Sequence, residues 1–224
     1  MDLNRKALLS VPALTIVIAA IIFVATGTVL YWQAWLYLSN FMLVSLLITI
    51  YLIENDPELL KRRMRGGPQA ESRGSQKLIM LFTSVGFIGL MVVPGLDQRF
   101  GWSSVPTAVV LIGDVLVAVG FYFIFLVYRE NTYTSATIEV AADQKVIDSG
   151  PYKIVRHPMY ASALLYLFGT PLALASYWGL IPFAAIIALL MWRLLDEESL
   201  LKRELTGYDE YQRRVRYRLL PGIW

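Results

Sequence analysis

The sequence predicts an all-α, polytopic membrane protein: a helical bundle of about six transmembrane segments, the last two forming a hairpin, followed by a cytosolic amphipathic helix. Three observations predict it. Of the 224 residues, 57% are hydrophobic and only 17% charged, with mean hydropathy +0.55, whereas a soluble domain carries about 25% charged residues. Six apolar segments, roughly 10–31, 35–53, 78–96, 105–128, 159–176 and 179–195, reach the length of about 17 residues that a span requires. Nineteen of the twenty Lys and Arg residues then fall on one side of such a six-span path, and only Arg99 on the other. That asymmetry places both termini in the cytoplasm; five spans would put the basic tail on the wrong face.

Arg5 and Lys6 precede the first apolar run. The run exceeds a secretory signal core, and no small-x-small cleavage site follows, so it reads as a first anchor. The connection 54–77 is polar and broken by Gly66-Gly67-Pro68. It reads as a solvated cytoplasmic loop, although its basic run also suits anionic head groups. Gly86 and Gly89 in the third segment are small enough for close helix contact. Asp114 lies inside the fourth run, where an ionisable residue is a functional candidate by default; a place near the outer end of that run is the competing reading. Trp32, Trp35, Trp102 and Trp178 fall at the outer ends of segments, as interfacial anchors do.

In the connection 129–158, Thr137–Val140 and Lys145–Asp148 flank Ala141–Gln144 in the pattern of a small β-hairpin. Such a hairpin is stable only when packed against something else. Ser149-Gly150-Pro151 turns the chain toward the fifth segment. Segments five and six are joined by Ser176-Tyr177-Trp178-Gly179 and read as a tight hairpin, with a re-entrant pair as the alternative. Beyond them Leu201, Leu205, Tyr208, Tyr211 and Val215 recur every three or four residues, with a break near Thr206-Gly207. That face lies on the membrane or folds back over 129–158.

The stretch GPYKIVRHPMY, 150–160, holds the only histidine, His157. Pro158 suits the first turn of a helix, which makes His157 the N-cap, its ring beside free backbone N–H groups that favour an anion. If segments five and six form a hairpin, His157 begins one and Glu197 and Glu198 end the other. Each lies about 20 residues, hence about 30 Å, from the tip, so they meet at one depth. Carboxylates near a helix C-terminus oppose the helix dipole and need a cation; Arg193, four residues before Glu197, can supply one, as can a ligand ammonium or sulfonium. Taken singly, each residue also has a plain reading: His157 as a cap, Arg156 as a positive-inside anchor, Tyr208 and Tyr211 as interfacial packing. With no cysteine and one histidine, thiolate and multi-histidine metal sites are excluded. No G-x-G pair occurs, and neither a P-loop, a nucleophile elbow nor an H-E-x-x-H is present.

The string Val146-Ile-Asp-Ser-Gly150-Pro151-Tyr152-Lys-Ile-Val155-Arg156-His157-Pro158-Met-Tyr160, followed by Arg193-x-x-x-Glu197-Glu198 and Gly207-Tyr208-x-x-Tyr211, resembles the isoprenylcysteine carboxyl methyltransferase family, which sits in a wider group with phospholipid methyltransferases and membrane sterol reductases. The match covers roughly 130–224; the first 130 residues match only as apolar spans. The resemblance implies an integral membrane methyltransferase using S-adenosylmethionine, with a four-span region at 1–128 and a catalytic region at 129–224. It implies that Gly150, Pro151, Tyr152, Val155, Arg156, His157, Tyr160, Tyr208 and Tyr211 shape or line the cofactor pocket. Glu198 or Glu197 becomes the essential acid, and Arg193 holds the acidic group of a lipophilic acceptor, a prenylated or other lipid, entering from the bilayer. Methyl transfer rests chiefly on positioning, and a carboxylate acceptor needs no general base.

Two other readings stand beside this one: an NADPH-dependent enzyme of the sterol-reductase type, and a non-enzymatic membrane scaffold. No metal and no nucleic-acid partner are expected, and membrane lipids are the expected surroundings. The lack of an N-x-S/T sequon and of a retention signal favours a bacterial inner membrane.

Overall fold

The computed structural model describes residues 2–71, 73–141 and 143–224. Among them the chain forms eight α-helices: α1 (Leu3–Thr26), α2 (Trp32–Asn55), α3 (Pro57–Arg63), α4 (Gly74–Phe100), α5 (Thr107–Glu130), α6 (Pro158–Ala173), α7 (Leu180–Glu204) and α8 (Tyr208–Arg214). A single 3-10 turn occupies Gly150–Lys153. Helices α1, α2, α4 and α5, of 24, 24, 27 and 24 residues, are long and apolar enough to cross a membrane. At 1.5 Å per residue each is about 36 Å or more in length. Helix α6 has 16 residues, and α7 has 25 with its charges gathered in the second half.

The helices end where their sequences dictate. Gly27 and Gly101 close α1 and α4 with φ of 71° and 66°, a conformation that lacks a steric penalty only in glycine. Asp56 caps α3, its side chain accepting from the Leu59 N–H at 2.9 Å, and Pro57 takes the first helical position. Leu9, Leu14, Ile16, Val17 and Val24 of α1 and Leu43 and Leu47 of α2 are exposed, which is the expected environment for apolar side chains solvated by lipid. Trp32, Trp35, Trp102 and Trp178 are all about half exposed at one end of the bundle.

The interior is assembled by close helix contacts. Helix α5 runs closest to α6, and the reason is glycine. A Cβ on Gly113 would stand 2.3 Å from the Ala173 nitrogen, and one on Gly120 would stand 2.7 Å from the Tyr166 nitrogen. Gly86, singled out from the sequence, admits Ile186 of α7 in the same way. Gly113→Ala is therefore expected to cost about 1–3 kcal/mol through forced displacement of backbone, read as a fall of a few degrees in the apparent melting temperature of the detergent-purified protein.

Two polar ties reinforce the packing. Asn40 of α2 donates to the Asp114 carbonyl at 2.8 Å and lies 3.4 Å from its Oδ1, so Asp114 joins α2 to α5. At the tryptophan end, Asp97 is buried and accepts from the Ser103 N–H, the Ser103 hydroxyl and the Ser176 hydroxyl, each at 2.6 Å.

Two expectations are corrected at the other end. Residues 137–140 and 145–148 form no strands among the described residues. The turn between them closes through Gln144 N–H to Ala141 O at 3.0 Å, and Ala142 lies outside the described residues. The backbone of this segment bonds instead to side chains of a different connection, with Ile138 N–H directed to Glu71. The connection 54–77 is correspondingly not a merely solvated loop. It contains α3, Arg62 and Arg63 donate to the carbonyls of Thr132 and Ser135, and Glu71 is buried. Its polar side chains satisfy backbone groups of 129–149 that have no ladder of their own.

Candidate active site

At the end of the bundle away from the tryptophans, α5, α6, α7, α8 and the segment 131–147 enclose a cavity of about 270 Å³. Its floor lies inside the bundle and is carbon-rich: Ile124, Met159, Ala163, Tyr166 and Leu190. Its walls are polar, formed by Tyr152, Arg156, His157, Tyr160, Arg193, Glu197, Tyr208 and Tyr211 together with residues of 133–139. The sequence-predicted residues thus converge, but not all of them face the space. Gly150, Pro151, Val155 and Glu198 stand behind the wall.

His157 does occupy the N-cap position of α6, with Pro158 following, yet its ring makes no capping hydrogen bond. It turns to Glu198 instead, Nε2 lying 3.2 Å from Oε1. The same oxygen accepts from Arg156 Nε at 2.8 Å, and Oε2 accepts from Arg218 Nε at 2.9 Å. Arg156 also donates to the carbonyls of Val215 and Arg216, while the backbone N–H groups of Arg156 and His157 donate to Tyr217 and Arg218 at 2.9 Å each. Glu198 is the centre of a buried latch that clamps 215–218 onto 156–157. Burial pushes its carboxyl pKa up, but the hydrogen bonds and charge of His157, Arg218 and Arg156 outweigh burial and hold it well below the usual carboxylate range.

Glu197 points the other way, into the cavity, where Oε2 accepts from the Tyr160 hydroxyl at 2.6 Å. The expected pairing of Glu197 with Arg193 is absent. Arg193 donates to Gln76 Oε1 at 2.7 Å and to the Ala136 carbonyl at 3.0 Å, and its Nη2 lies 2.8 Å from Glu71 Oε1. Buried guanidinium charge is paired, as its desolvation demands, but by a residue 122 positions away rather than by its helical neighbour.

The tyrosines complete the wall. Asn131 donates to the Tyr152 hydroxyl at 2.8 Å, and the Tyr211 hydroxyl donates to the Tyr152 carbonyl at 2.9 Å. Burial pushes the Tyr152 phenol up to about 12. Burial, joined by nearby carboxylates, also raises Tyr208, and burial raises Tyr211, so all three remain protonated donors at neutral pH. Leu205, Tyr208, Tyr211 and Val215 pack on Val140, Val146 and Tyr152, which folds α8 over the connection 129–149. Gly150 makes the tight entry to the 3-10 turn: its φ is +52°, and a Cβ there would stand 2.7 Å from Glu130 Oε2. The hydroxyl of Ser149 donates to that same Glu130 carboxylate.

Among the described residues, the Tyr208 hydroxyl is buried with no hydrogen-bond partner. An unpaired buried donor on a cavity wall costs about 1–3 kcal/mol. Sequence reasoning missed Glu71, Gln76, Asn131 and Arg218. None of them carried a signal: Glu71 is one of four acids in the mixed-charge connection 54–77. Asp114, the intramembrane candidate, does not line the cavity.

Residues 108–206 match the family model described as phospholipid methyltransferase. The chain is 28% identical over 150 residues to protein-S-isoprenylcysteine O-methyltransferase B of Arabidopsis thaliana, covering 62% of this chain and 70% of that protein. It is 24% identical over 128 residues to probable protein-S-isoprenylcysteine O-methyltransferases of Oryza sativa subsp. indica and subsp. japonica, covering 56% of this chain and 64% of each. The matched stretch thus spans about two thirds of these relatives. Together with four apolar helices of membrane-crossing length, these similarities support a membrane methyltransferase resembling the isoprenylcysteine carboxyl methyltransferases and phospholipid methyltransferases.

Proposed function

We propose that this chain is an S-adenosylmethionine-dependent methyltransferase acting on a lipophilic acceptor, an isoprenylcysteine-like carboxylate or another lipid, at the cytosolic face of a bacterial inner membrane. In this reading α6 and α7 form a spanning hairpin, giving six spans with both termini cytosolic, and 129–224 carries the chemistry. The observation that supports it best is the cavity itself. An apolar floor reaching into the bundle suits a hydrocarbon chain, and the polar wall suits a nucleoside with an amino-acid tail. The unpaired Tyr208 hydroxyl and the cavity-facing Glu197 fit such a ligand, one as a hydrogen-bond donor, the other as a counter-charge.

Bound S-adenosylmethionine supplies a methyl group on a positively charged sulfur, an electrophile that needs no activation by the protein. The chain's own residues do the rest. Glu197, fixed by the Tyr160 hydroxyl, offers a negative charge in a site screened from water, where attraction to a cation exceeds its value in bulk. Arg193, held rigid by Gln76 and Ala136, presents its remaining edge to an acidic group of the acceptor. The α8 segment closes the cavity over 129–149 and excludes water. A carboxylate acceptor brings its own nucleophilic oxygen, so no side chain has to remove a proton.

Calorimetric titration of the detergent-purified protein with S-adenosylmethionine and S-adenosylhomocysteine tests the reading. Wild type is expected to bind both, and Tyr208→Phe to bind each about five- to tenfold more weakly, the worth of one hydrogen bond. Binding of NADPH with no binding of either sulfur ligand overturns it.

A further inference from the structure

Arg193 and Glu197 stand four residues apart on α7, facing the same side of the helix. That spacing brings opposite charges within reach of each other, although the order with the cation first is the weaker one. Here they do not pair. Among the described residues Glu197 makes no ion pair within 4.0 Å, and its hydrogen bond comes from the neutral Tyr160 hydroxyl, which Arg193 also approaches. The guanidinium of Arg193 has been drawn off by Glu71, which is 3% exposed and belongs to the turn-rich connection between α3 and α4. Gln76, in the first turn of α4, and the Ala136 carbonyl hold the same guanidinium from two further directions. The Glu71 contact is purely ionic: Oε1 lies 2.8 Å from Nη2 but off the axis of its N–H bonds, so it makes no aligned hydrogen bond. Toward Arg193 Glu71 contributes charge, while its other oxygen accepts from the Ile138 N–H at 3.3 Å.

We infer that Glu71 is a positioning residue that keeps Glu197 free: by neutralising Arg193 from outside the cavity, it leaves Glu197 as an uncompensated carboxylate able to receive a cationic ligand group such as a sulfonium. Without Glu71, a guanidinium that is 8% exposed has no counter-charge. Two acids of its own helix lie within a turn: Asp196 is already paired with Arg73, which leaves Glu197, and that pair then forms. Glu197 leaves Tyr160, and its charge is no longer open to a ligand at that point of the cavity. The connection 64–73, outside the region matched by the family model, is in this way part of the binding site's electrostatics. The inference rests on the proposed methyltransferase reading only for the identity of the cation.

Two measurements on the full chain test it. The first compares S-adenosylmethionine, whose sulfur is charged, with S-adenosylhomocysteine, whose sulfur is neutral. Glu71→Gln is expected to weaken S-adenosylmethionine about tenfold and leave S-adenosylhomocysteine within about twofold. A residue that merely supports the fold weakens both alike. Glu71→Asp is expected to recover most of the loss, and the double variant Glu71→Gln with Arg193→Gln to restore the preference for the charged ligand, because no guanidinium is left to capture Glu197. Parallel loss of both ligands in Glu71→Gln, or a double variant no better than the single one, overturns the inference. The second measurement is an experimental structure of Glu71→Gln without ligand. Arg193 is expected within ion-pair distance of Glu197, and an intact Tyr160–Glu197 contact with Arg193 still turned away overturns the inference. Should wild type bind neither sulfur ligand, the cofactor assignment fails, and this second measurement alone decides the role of Glu71.

Discussion

Glu198→Gln is expected to destabilise the protein by about 3–5 kcal/mol, the cost of removing one partner from a buried ionic cluster. For a chain of this size that is an apparent melting temperature lower by roughly 10 °C or more. The amide keeps the shape of the carboxylate but cannot neutralise Arg156 and Arg218, which converge on it at 2.8 and 2.9 Å beside the His157 ring. The segment 215–218 is then expected to detach from 156–157, since Arg156 is its main side-chain anchor. Thermal unfolding in detergent checks this, and a change below about 1 kcal/mol would rule out the latch. The pH dependence has a definite sign. The carboxyl of Glu198 titrates lower in the folded chain than its ordinary value of 4.5. Its contribution is therefore whole above that value, erodes as pH falls through it, and is gone once pH passes below the native value. The gap between wild type and Glu198→Gln is expected to narrow on acidification below the ordinary carboxylate range.

Glu197→Gln is expected to do the reverse: little loss of stability and a large loss of turnover. Its neighbour Tyr160 can donate to an amide oxygen as it does to the carboxylate, so the fold is unaffected within about 1 kcal/mol. The cavity, however, loses the negative charge that Glu197 places beside Tyr160. Removal of a single preorganised electrostatic partner in a water-screened site typically costs about 100-fold or more in rate. Methylation of a small prenylated cysteine acid by the purified protein, followed with labelled S-adenosylmethionine, provides the measurement. Equal activity of Glu197→Gln and wild type would remove Glu197 from the site, and a melting shift as large as that of Glu198→Gln would make the two acids equivalent. Adjacent in sequence, the two carboxylates are expected to separate cleanly into one that holds the fold and one that serves the cavity.

How much of this was legible in the sequence differs from element to element. The four long apolar helices were, because a run of some twenty apolar residues has few alternatives, although helix ends shifted by up to seven residues: the first segment was placed at 10–31 and α1 covers Leu3–Thr26. The meeting of His157 with Glu198 was also legible, since equal distances from a turn place two helix ends at equal depth. The facing of the two acids was not. Neighbouring residues on a helix diverge by 100°, and which of them turns inward is set by cations brought from 156–157 and 218, information that α7 does not carry. The same holds for Glu71. A carboxylate in a polar connection looks solvated until 129–149 is seen to lack strands and to need its backbone partners from elsewhere. The short-range rule that pairs Arg193 with Glu197 failed because a more distant acid outcompeted it, and that failure falls in the site where function is expected.

Asp97 has a mechanical consequence. Ser103 follows α4 and Ser176 follows α6, so one carboxylate fastens both the α4–α5 and the α6–α7 joins. At the opposite end the helices are joined by the long connections 64–73 and 131–157. The bundle is therefore shaped like a pair of tongs, with its pivot at Asp97 and its jaws around the cavity. If the proposed lipid acceptor enters between the jaws, spin labels placed across α5 and α7 are expected to part by several ångströms at the cavity end on loading and to keep their spacing beside Asp97.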